Sequence, residues 1–159
     1  MIALEDIRSL IMQGLSTHVG KEVIEMNGAE GIPVGGYLTY DFSDGFHSNR
    51  GFPVVTQGSD KLVKMETVQF TVTFLSYDHD QTSRIQNALV ARDWFKTVGH
   101  TALKEKVNVV VVKIGSVSNR DIQVNKEWER RQGFDVQFRT VDIVESDLEW
   151  IEQTNIQRS

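Results

Sequence analysis

Cysteine is absent from the 159 residues. That excludes disulfides, thiol catalysis and every zinc site built on thiolates, and it suits assembly in a reducing cytoplasm. Proline is almost absent, at two residues, so the chain is neither collagen-like nor a proline-rich linker. No run approaches the ~18 apolar residues that a membrane-spanning helix requires. The first residues, Met1-Ile2-Ala3-Leu4-Glu5-Asp6, carry acids where a signal peptide carries lysines, so export by that route is not expected. A basic stripe is missing too. Lys plus Arg number 17 against 22 Asp plus Glu, a net −5, which is a poor basis for gripping nucleic acid by its phosphates.

What the chain does have is an ordinary globular composition, 40% hydrophobic. This length fits one domain over residues 1–159, which should bury roughly 70% of the surface its unfolded chain exposes, with no need of metal or cofactor.

Leu4, Ile7, Ile11 and Leu15, with Leu10 beside them, recur at helical spacing and predict a helix over about residues 3–18. Gly14 weakens it and Gly20 suits its end. A short strand over Val23–Met26 and a glycine-rich turn follow. Pro33–Phe42 reads as a strand entered through a residue that cannot donate to a ladder.

The stretch 43–66 is too long for an inert connection and predicts a functional loop or an extended hairpin, with Phe52, Val54 and Val55 facing Leu62 and Val63 across Gly58-Ser59-Asp60. Thr67–Ser76 alternates cleanly: Val68, Phe70, Val72 and Phe74 on one face, Gln69, Thr71 and Thr73 on the other. Gln81–Val98 predicts a second helix, capped by Asp78, Asp80 or Ser83 and ended by Gly99, burying Ile85, Ala88, Leu89 and Phe95. The β-branched run Val107–Ile114 predicts a central strand covered on both faces.

The last strand, Glu129–Val144, changes phase. Phe134, Val136 and Phe138 face one way, Val141 and Ile143 the other, so either a bulge near Arg139-Thr140 intervenes or the strand serves a second packing surface. Residues 146–159 read as a short helical turn followed by a loosely held tail. The expected fold is α/β (α+β): one mixed or antiparallel sheet packed by two helices, with a long hairpin or loop extension.

Recognisable chemistry is sparse. His18, His47, His79 and His100 are scattered, and Asp78-His79-Asp80 reads as a helix cap before it reads as a metal site. Val19-Gly20-Lys21-Glu22 resembles the end of a P-loop but has Glu22 where magnesium needs a hydroxyl. Gly28, Gly31, Gly35 and Gly36 lack dinucleotide spacing, and no serine sits in a nucleophile elbow. No enzyme activity and no cofactor are expected.

The most individual segment is Glu129-Arg130-Arg131-Gln132-Gly133-Phe134-Asp135-Val136. It follows, in order, an N-terminal helix, the aromatic strand entered by Gly31-Ile32-Pro33, the strand Phe70–Ser76 leading to Asp78 and a helix, and the Val-rich strand with Asn119-Arg120-Asp121. In this order the features resemble the phage neck or tail terminator family across nearly the whole chain.

The resemblance implies a virion protein of the tail and neck, assembled in the host cytoplasm. It would form a ring, commonly a homo-hexamer, that caps the tail tube, stops its polymerisation and meets the head–tail connector or head-closure protein. DNA would pass through the lumen without sequence-specific binding, helped by a like-charged wall, and no membrane is involved. Subunit-interface candidates are Arg130, Arg131, Arg139, Val141 and Ile143. Assembly-loop candidates are Phe46, Arg50, Phe52, Lys61 and Lys64. The competing readings are another phage head-closure or tail-completion protein, or a small-molecule-binding or hydrolytic domain with Gly28–Gly36 lining a pocket.

Overall fold

A computed structural model describes residues 1–28, 31–48 and 53–147. The chain runs α1 (Leu4–Val19), β1 (Glu22–Glu25), β2 (Tyr37–Ser48), β3 (Val54–Gln57), β4 (Lys61–Tyr77), α2 (Gln81–Lys96), α3 (Val98–Val107), β5 (Val110–Ile114), β6 (Ser118–Asn119), β7 (Ile122–Val124), β8 (Glu127–Glu129) and β9 (Gln132–Asp147). The main sheet follows the order β1-β2-β4-β9-β5, with β3 added to β4 and β6 to β9. Strands β7 and β8 make a separate hairpin. Among the described residues only the β1–β2 pair is parallel, so the fold is α+β with a mixed sheet.

The period-two pattern of β4 settles which face is covered. Val68, Phe70, Val72 and Phe74 are all buried, opposite Thr140, Phe138, Val136 and Phe134 of β9. The rings stack in pairs across the strands, Phe70 on Phe138 at 5.2 Å and Phe74 on Phe134 at 5.3 Å, and Phe95 of α2 meets both pairs. Ile7, Ile11 and Leu15 close the layer from α1, as their spacing requires. The helices lie on this one face. The other face carries Thr71, Thr73, Gln69, Gln137 and Arg139 and stays wet.

Among the described residues three helices stand where two are predicted. α2 stops at Thr97, whose φ of −121° and ψ of −110° leave the helical region, and α3 begins at once. Gly99 therefore lies inside α3. A Cβ there would overlap the Trp94 ring, so this glycine permits close packing and ends nothing. Asp80 caps α2, accepting from Ser83 N at 3.0 Å. The buried face of α2 is Arg84, Ala88, Ala91, Trp94 and Phe95. Leu89, expected in the core, is 43% exposed, because the stripe is centred one residue-row away.

The run Val107–Ile114 is not a central strand. Val107 ends α3, Asn108 turns left-handed (φ 53°), and only Val109 is fully buried. Among the described residues β5 then pairs with β9 alone as an edge strand, with Val112 and Lys113 exposed. β-branched residues here serve a helix end, the core and an edge in turn.

No bulge interrupts β9 against β4. Their register is unbroken from Ser76↔Gln132 to Lys61↔Asp147, so strict alternation sends Thr140 to the covered face and Val141 and Ile143 to the open one. The change of phase is thus a change of face, with Ile143 left exposed. The strand also begins at Gln132, not Glu129, and carries Ser146 as strand; residues 148–159 lie outside the described residues.

Candidate assembly surfaces

Beyond Val68 and Thr140 the core ends: no residue of Lys61–Thr67 or Val141–Asp147 is buried. There β3, β4 and β9 continue as a three-stranded arm. The 43–66 stretch thus divides. Its first part extends β2, pairing Asp44 with Thr71 and His47 with Gln69 across two register shifts. Its second is the predicted hairpin, Val54↔Met65 through Gln57↔Leu62, turned by Gly58–Asp60.

Registered side chains share a face, so Val54, Met65 and Ile143 form one row across the arm. They are 63%, 37% and 41% exposed. On the opposite face Val55 and Val144 flank Lys64. Lys61 reaches Glu145 at 3.3 Å. Phe46 is the exception among the loop candidates, lying on the core side of β2 with its ring 4.6 Å from that of Phe70. Arg50 and Phe52 lie outside the described residues.

The second surface grows out of two motifs that the sequence displays separately. Arg120 forks onto Asp135 with both nitrogens at 3.1 Å, and Thr73 donates to the same carboxylate at 2.6 Å. Gly133 makes this possible, since a Cβ there would press Leu75, the Phe74 carbonyl and the Arg120 chain. Asp121 accepts from Arg131 N at 2.7 Å and from Arg130 Nη1 at 3.0 Å, while Arg131 Nε donates to the Arg120 carbonyl at 2.5 Å. The result is a clasp joining Asn119-Arg120-Asp121 to the segment entering β9.

Both carboxyls are held below their ordinary range. For Asp135 the main cause is the Arg120 hydrogen bond; for Asp121 it is the backbone N–H of Arg131. From the clasp springs the β7–β8 hairpin, turned by Asn125 and Lys126 at φ 51° and 69°, the left-handed pair that a tight hairpin needs. Trp128 is 56% exposed on it, with the Arg130 guanidinium 5.4 Å from its ring.

Phe46 apart, the described site residues therefore fall in three places. Arg130 and Arg131, expected within the last strand, precede β9 and bind within their own chain. Arg139 stands exposed on the open face, and Val141 and Ile143 belong to the arm with Lys61 and Lys64. Sequence reasoning passed over Trp128 and the Arg120–Asp135 pair. The Asn-Lys turn between short apolar runs was the available signal for the hairpin; the ion pair had none.

From the glycine-rich stretch Gly28 and Ile32, but not Gly31, Gly35 or Gly36, line a hollow of about 310 Å³ with Glu129 and the stacked rings of Tyr37 and Tyr77. Among the described residues no group of three or more His, Cys, Asp or Glu could hold a metal, and no helix is long and apolar enough to cross a membrane.

No curated protein matches the chain. A family model described as "Phage neck terminator protein" matches residues 4–159, taking in the clasp, the arm and the covered sheet alike: the chain belongs to the phage neck terminator family.

Proposed function

We propose that this structural neck protein forms a ring on the end of the phage tail tube, halts tube polymerisation and presents a surface to the head connector, with DNA passing through the lumen. The observation that carries the reading is the match to the neck terminator family over almost the entire chain. The architecture supports it. A helix-backed sheet extends an exposed apolar arm that one copy cannot bury, as expected of a subunit made to be packed by others. A net charge of −5 suits a channel wall along which DNA slides.

Inactivating the gene in its phage tests this directly. Loss should give tails of uncontrolled length together with heads that fail to join them, and supplying the chain in trans should restore both. Tails of normal length, joined to heads, would refute it.

A further inference from the structure

Among the described residues, both margins of the arm offer backbone outside the strand ladders. Among the described residues, β3 pairs only with β4. From Thr140 to Ser146 the outer edge of β9 pairs with no strand among the described residues; Thr140 donates to the Asn108 carbonyl, and the Met1 amine reaches the Ile143 carbonyl and the Asp142 carboxylate. Such an edge, beside the apolar row Val54, Met65 and Ile143, is a template for another strand. β3 is short, four residues entered from Pro53, features that commonly blunt an edge, but it carries only valine, threonine and glutamine and no charge. The arm is also acidic on balance: Asp60, Glu66, Asp142, Glu145 and Asp147 stand against Lys61, which pairs with Glu145, Lys64 and the Met1 amine, which pairs with Asp142.

The same chain offers the matching surface at the far margin of its sheet. Among the described residues β5 pairs on one side only, with Val112 exposed at its register shift. Its flank is basic. Lys104, Lys106 and Lys113 lie on α3 and β5, whose only carboxylate is Glu105. Arg139, in register with Val110, adds an exposed guanidinium. An acidic, apolar strand edge and a basic, apolar strand edge on different margins of one molecule are heterologous partners, the kind that closes into rings.

We propose that the arm of one copy docks on the β5 margin of a second copy of this chain, its apolar row covering Val112 and its carboxylates meeting Lys113 and Arg139. This rests on the ring reading above and names the contact that would build the ring. Opposite charges at such a margin also fix register and direction, because an arm meeting an arm, or β5 meeting β5, sets like charges together.

Two variants of the full-length chain test it: Val54→Lys with Ile143→Lys on the arm, and Lys113→Glu with Arg139→Glu on the β5 margin. All four positions are exposed, so each variant should melt like the wild type. Sizes are read by native mass measurement of the purified chains, alone and with isolated tail tubes. Each variant alone should remain monomeric where the wild type assembles. Mixed, they should recover assemblies containing equal numbers of both chains, since every remaining junction is again complementary. Wild-type-like assembly by either variant, or a mixture that stays monomeric, overturns the contact while leaving the ring reading intact. A wild-type chain that stays monomeric alone and on tubes overturns both.

Discussion

Trp94 of α2 is wedged against Gly14 of α1, so closely that a Cβ on the glycine would overlap the indole. Gly99 of α3 abuts the same ring from the other side. The three helices meet on one side chain, and the two glycines are the recesses that admit it.

Replacing Gly14 by Ala should therefore destabilise the fold by about 1–3 kcal/mol through overpacking, although the same change in an open helix stabilises by about 1 kcal/mol. Denaturant unfolding gives the sign. A gain in stability would mean that the ring can retreat.

Phe74→Ala or Phe134→Ala should cost about 3–5 kcal/mol each, the range for emptying a fully buried aromatic site. Both rings have no solvent exposure. Leu89→Ala, on the exposed side of α2, should stay within about 0.5 kcal/mol, and chemical melts of the three variants should separate cleanly.

The two arginines before β9 should behave differently. Arg130 is an exposed partner of Asp121, so Arg130→Ala should cost less than about 1 kcal/mol. The part-buried Arg131 side chain donates to the Arg120 carbonyl, and its loss should cost about 1–3 kcal/mol. Equal costs would show that the clasp is not built as described.

Acid should loosen the clasp. The Asp121 and Asp135 carboxyls are depressed in the folded chain relative to about 3.9 for a free aspartate. Their contribution is fully present above the unfolded value and is lost as pH falls through the folded one. Stability should thus fall below about pH 4, and Asp135→Asn should lose most against the wild type near neutrality and progressively less in acid. Urea midpoints across pH check this; a constant difference would refute it.

The covered face was legible because β4 and β9 alternate without interruption, and a ring at every second position declares its side. The helix break at Thr97 was not, since a corner depends on Trp94 finding Gly14, eighty positions earlier in the chain. The Val107–Ile114 run misled for a related reason. β-branching reports burial or strand preference, and here a helix end, a core position and an edge share one run. For β9 the change of phase was visible, but choosing between a bulge and a second surface required the partner strand's register. The motif around Gly133 was recognisable as unusual; that Arg120 lies across it to reach Asp135 depends on strand pairing, which spacing does not encode.

The sixteen Cα pairs that hold β4 to β9 run without a break from the arm into the core. Tension applied at the arm, along its strands, is therefore shared by the whole ladder in shear, whereas a separately hinged hairpin would peel open one rung at a time. Whatever grips the arm is mechanically fastened to the phenylalanine stack itself, and the joint should yield only when the sheet does.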